Sequence, residues 1–90
     1  MGIMEELADA LAKETIEAME HFGDDEQIIQ DVGRVVGASS VTTQEAFFTA
    51  ARVRLAEKRG RAYLQTRIRE AKEGLAASAP PPSAEDDVEI

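Results

Sequence analysis

Apolar residues return along this chain at helical spacing, in three runs separated by short breaks. Over residues 3–22, Met4, Leu7, Ala8, Leu11, Thr15, Ala18 and Phe22 recur every three or four positions, and Ile16 and Met19 widen the set. A helix gathers such positions onto one face, so this run predicts an amphipathic helix. Its opposite side carries Glu5, Glu6, Asp9, Glu14, Glu17 and Glu20 against Lys13. Gly23 suits a left-handed C-terminus, and Asp24 stands three residues before Gln27, where it can cap the next helix. A second, short helix is predicted over 25–37, with Ile28, Ile29, Val32, Val35 and Val36 inward, Gly33 marking close packing and Gly37 the end.

The third run is the longest. Thr42 and Glu45 have capping-box spacing, which predicts a helix over about 43–76. Ala46, Ala50, Val53, Ala56, Gly60, Leu64, Ile68, Ala71 and Leu75 form its apolar strip. A second strip, Phe47, Phe48, Ala51 and Leu55, widens that face in the first half only, so the helix is expected to be well buried early and thinly buried late. At about 1.5 Å per residue it reaches roughly 50 Å, more than a small bundle needs. Gly60 admits a break, a kink or a close approach by another backbone; strong helix formers on both sides favour a continuous or mildly kinked helix. The expected architecture is all-α, a small antiparallel bundle of three helices. Residues 1–77 form one domain, and 78–90 a flexible, disordered tail built on Pro80, Pro81 and Pro82 and on acids.

Charge sharpens this picture. The total of −8 conceals a basic third helix, which holds eight of the ten Lys and Arg residues, among them Arg52, Arg54, Lys58, Arg61, Arg69 and Lys72. The first forty residues hold ten acids and two bases, so the first helix is the natural electrostatic partner of the third. An acidic total argues against general nucleic-acid affinity, which draws on basic charge. No cysteine is present, which removes disulfides, thiolate metal sites and cysteine nucleophiles. No apolar run approaches the roughly 20 residues of a membrane span, and acids occupy the place of a secretory signal's basic start, so a cytoplasmic protein is expected.

Candidate chemistry is sparse. His21 is the only histidine, and Ala18 stands where a Glu-x-x-His metal pair would need its glutamate. No catalytic residue, metal site, cofactor or small-molecule substrate is expected. The pattern fits a non-enzymatic interaction module that docks a protein partner, or itself as a dimer, through Arg54, Lys58, Arg61, Leu64, Ile68, Arg69 and Leu75 on the third helix. The plainer reading of the basic stripe is a solvated face paired with the protein's own acids. A third possibility rests on Val32, Gly33, Val36, Gly37 and Ala38, which with Ser39, Ser40 and a new helix resemble the helix-turn-helix of DNA-binding regulators. That resemblance spans about 20 residues. It implies that Thr42, Thr43 and Gln44 face a DNA groove and that Arg52 and Arg54 reach phosphates.

Overall fold

The structure, a computed structural model, describes residues 2–77. It is all-α, with α1 at Ile3–His21, α2 at Gln27–Ser39 and α3 at Val41–Ala77, and no strand occurs among the described residues. Successive helices pack antiparallel around one core. The chain divides into two compact units, Met1–Glu57, which holds this core, and a second that begins at Lys58. The tail expected at 78–90 lies outside the described residues.

The core is small and made largely of small residues. Ala8, Ala12, Ile16 and Met19 of α1 meet Ile29 of α2 and Phe47, Ala51 and Leu55 of α3, with Phe47 the largest side chain fully enclosed. Thr15 is buried among them, and its hydroxyl donates to the Leu11 carbonyl at 2.8 Å, so no polar atom is stranded there. This inward face of α1 is rotated from the one its spacing suggests: Ala8 and Thr15 of that strip are buried and Leu11 packs against the core, but its other edge lies outside. Leu7 and Phe22 are 62% and 69% exposed, while Ile16 and Met19, expected only at the margin, lie at the centre. A similar rotation occurs on α3. Its second strip of Phe47, Ala51 and Leu55 forms the centre of the core, Ala46 and Ala50 of the longer strip pack half-buried against it, and Val53 is 62% exposed. On α3 the Phe47 and Leu55 side chains bury more apolar area than the alanines of the longer strip, and that difference favours their face.

The joints between helices also differ from expectation in detail. Gly23 (φ 82°) and Asp24 (φ 62°) both adopt left-handed backbone, and the Asp24 N–H returns to the Met19 carbonyl at 2.9 Å, the closing bond of a Schellman motif. Asp24 is thereby committed to ending α1. Asp25 instead assists α2, its carboxylate accepting from the Gln27 N–H at 2.9 Å. Nor does α2 stop at Gly37; it continues to Ser39, and Ser40 alone, in extended conformation, links it to α3. Ser40 rather than Thr42 caps α3, its Oγ accepting from the Thr43 N–H at 3.1 Å and donating to Thr43 Oγ1 at 2.9 Å.

Gly33 and Gly37 let α2 approach α3 closely. A Cβ on Gly33 would stand 2.2 Å from the Phe48 ring, and one on Gly37 would stand 2.3 Å from the Gln44 amide. That amide nitrogen donates to the Gly33 carbonyl at 2.9 Å. Beyond Leu55, α3 has no buried residue through position 75; its later half is thinly covered, as the sequence predicts. The helix runs continuously through Gly60, and an added Cβ there would meet nothing within 4 Å, so close backbone approach does not explain that glycine.

One substitution should therefore have opposite effects at two sites. Gly33→Ala is expected to destabilise the bundle by about 1–3 kcal/mol through overpacking against Phe48, less the gain in helix propensity. Gly60→Ala should raise helicity and stabilise α3 locally by up to about 1 kcal/mol. Urea unfolding followed by circular dichroism measures the first, and amide exchange across residues 58–75 the second. Equal stabilisation at both positions would show that α2 and α3 are not in close contact at Gly33.

Candidate functional site

Arg54 is the basic residue most firmly engaged within the first unit. Its Nε donates to Asp9 Oδ1 at 2.8 Å and its Nη2 to Asp9 Oδ2 at 2.7 Å, a bidentate pair joining α1 to α3. The hydrogen bonds from Arg54 hold the Asp9 carboxyl below its ordinary range against a partial desolvation that opposes them. The same bonds raise the guanidinium above its ordinary value, with the Asp9 and Glu17 charges adding to the effect. The expected attraction between the acidic first helix and the basic third is thus present at this pair. Both side chains remain partly exposed, 36% for Arg54 and 47% for Asp9, so salt screens it.

The residues at the start of α3 have separate surroundings. Thr42 is exposed, Thr43 is bonded to the Ser40 cap, and Gln44 is half-buried with its amide on the Gly33 carbonyl. Arg52 is exposed beside a shallow hollow of about 190 Å³ that Glu26, Ile29, Gln30, Phe48, Ala51 and Leu55 also line. The single-residue link at Ser40 is shorter than the three- to four-residue turn of a helix-turn-helix.

A larger groove, about 470 Å³, opens between α1 and α3. Ala46, Thr49, Ala50 and Val53 form its α3 side with Thr42 and Glu45, and Glu5 and Asp9 its α1 side. It exists because α3 presents small residues at 46, 49 and 50 where α1 presents long polar ones. Sequence reasoning did not identify this groove, although the run of Thr42, Ala46, Thr49 and Ala50 at helical spacing was a signal for it. Its rim carries three carboxylates, of which Glu5 also accepts from the Gly2 N–H at 3.1 Å as half of a capping box at the start of α1.

In the second unit, Leu64, Ile68 and Leu75 are 57%, 44% and 72% exposed. Their spacing places them on one face of α3 together with Ala71. Tyr63 is exposed nearby, and its hydroxyl accepts from Arg67 at 3.1 Å. Arg67 also stands 3.8 Å from Glu70, and Arg69 stands 4.0 Å from Glu73. Lys58 and Arg61 each have an interaction partner as well.

His21 is exposed at the end of α1, and among the described residues no group of three or more His, Cys, Asp or Glu side chains is placed to hold a metal ion. No helix of the described residues is long and apolar enough to cross a membrane. The chain matches no protein-family model, no curated protein and no solved structure.

Because the native value of Asp9 is lowered, its contribution to stability is complete above the ordinary carboxylate value of about 4 and disappears as pH falls through the lowered value. Asp9→Asn is expected to lower the urea midpoint at neutral pH, by less as salt rises, and the gap from the parent should close in strong acid. Identical midpoints at neutral pH and low salt would mean that the pair contributes no stability.

Proposed function

We propose that this chain is a non-enzymatic interaction module that works in the cytoplasm and docks a protein, or a second copy of itself, through residues 58–75 of α3. The observation that carries this reading is the exposure of Leu64, Ile68 and Leu75 at the spacing of a helix-pairing seam. Single exposed leucines are ordinary on protein surfaces, but three aligned on one face of a helix form an apolar strip that a second helix or groove can cover. Lys58, Arg61 and Arg69 add positive charge around the strip, which favours an acidic counterpart and speeds its approach.

The two halves of α3 divide the work in this reading. Phe47, Ala51 and Leu55 belong to the core, so residues 41–55 anchor the helix. From Lys58 to Leu75 no side chain is buried, so the apolar strip there has no part in the core. Arg54, one of the basic residues expected in the docking surface, serves the fold through Asp9 and is assigned there instead.

A photo-crosslinking amino acid placed at Leu64 or Ile68, with Val35 as an exposed control, tests the proposal in the protein's own cells. A defined protein adduct from positions 64 and 68 and none from 35 is the expected result, and Leu75→Gln introduced beside the probe should weaken it. Adducts from all three positions alike, or none from the seam, would rule the reading out.

A further inference from the structure

We infer that the occupant of the seam is a second copy of this chain, and that the seam of one copy docks into the groove between α1 and α3 of the other. This inference rests on the docking role proposed for residues 58–75. Charge favours this pairing over the more obvious one, seam against seam. On α3, Arg61, Gln65 and Lys72 follow helical spacing along one flank of the seam. In an antiparallel pair of identical helices like flanks face each other, which would bring Arg61 of one copy to Lys72 of the other. In a parallel pair that basic flank would meet the opposite one, where Arg67 stands 3.8 Å from Glu70. The antiparallel arrangement sets cation against cation, which opposes association, and the parallel one offers the basic flank no excess of carboxylate.

The first unit supplies what the seam lacks. Residues 1–57 carry twelve acids and four bases, whereas residues 58–77 carry six bases and two acids. The groove sets apolar Ala46, Ala50 and Val53 between the carboxylates of Glu5 and Glu45. That is the order of groups a leucine strip flanked by lysine and arginine requires, apolar in the middle and acidic at the edge. The third rim acid, Asp9, is already held by Arg54, so Glu5 and Glu45 carry the attraction. The groove is shallow and open, about 470 Å³, and its small side chains leave room for Leu64 and Ile68.

A contact between two different surfaces of the same chain leaves each copy with one seam and one groove still to use. It therefore either closes as a reciprocal pair or continues into a larger assembly. The seam is short, a single helix face with three large side chains, so one such contact is expected to be weak and salt-sensitive.

Complementation between two variants tests this pairing. Leu64→Glu with Ile68→Glu removes the seam, and Glu45→Lys with Thr49→Lys removes the groove; all four positions are exposed, so both variants should keep the parent's circular dichroism and urea midpoint. Light scattering of the parent chain from micromolar to millimolar concentration should show a mass that rises with concentration at low salt and returns to the monomer at high salt. Each variant alone should remain monomeric under the same conditions, with at least a tenfold loss of association. An equimolar mixture should regain a one-to-one complex, because one intact seam and one intact groove remain. A groove variant that self-associates like the parent would mean seam against seam, and a mixture that stays monomeric would overturn the pairing. A parent chain that is monomeric throughout would overturn the second-copy inference as well. If seam probes in cells then capture a different protein, the docking role survives that failure; if they capture nothing, both fall together.

Discussion

The bundle depends on how closely α2 can approach α3, and two absent side chains set that distance. At Gly33 the Phe48 ring occupies the space a Cβ would need, and at Gly37 the Gln44 amide does the same. Close approach matters because α2 has only thirteen residues and too few hydrogen bonds to persist alone. It also brings the Gln44 amide to the Gly33 carbonyl, so the contact is closed by a hydrogen bond as well as by packing. With only Ser40 between the two helices, the start of α3 is fixed by the end of α2. That start determines which side chains of α3 point inward and which remain outside.

A second consequence concerns charge. The acids of α1 and the bases of α3 meet at Asp9 and Arg54, and that pair lies beside a core small enough for a cross-helix tie to matter. Further along α3, Arg67 and Arg69 stand near Glu70 and Glu73, yet bases still outnumber acids over residues 58–77. A protein that is acidic as a whole thus keeps one positive segment.

Much of the fold was legible in the sequence. Three helices, the tight turn at Gly23, the close packing at Gly33 and the thin covering of late α3 all follow from spacing and residue type. The rotation of each helix was not. On α1 the strip through Leu7 and Phe22 and the strip through Ile16 and Met19 overlap in phase, so periodicity identifies a helix but not its inward side. On α3 the longer strip is regular but rich in alanine, and the shorter strip, with its aromatics, took the core. Caps were ambiguous for a related reason, since Ser39, Ser40, Thr42 and Thr43 are all capping residues within five positions and only backbone geometry selects Ser40. As for the candidate surface, the exposed seam could be read from spacing, whereas spacing marked only the α3 wall of the groove, because its other wall requires knowing which face of α1 lies beside α3.

Gly60 and Gly74 stand within α3 with nothing near enough to require the absence of a side chain. Both raise the entropy that this segment loses on becoming helical. A ligand that binds only the helical form must supply that free energy, so its apparent affinity is scaled by the fraction of molecules already helical. In the proposed docking, recognition strength can therefore be tuned at glycines outside the contact strip, by altering how well α3 is preorganised while the contact surface stays the same.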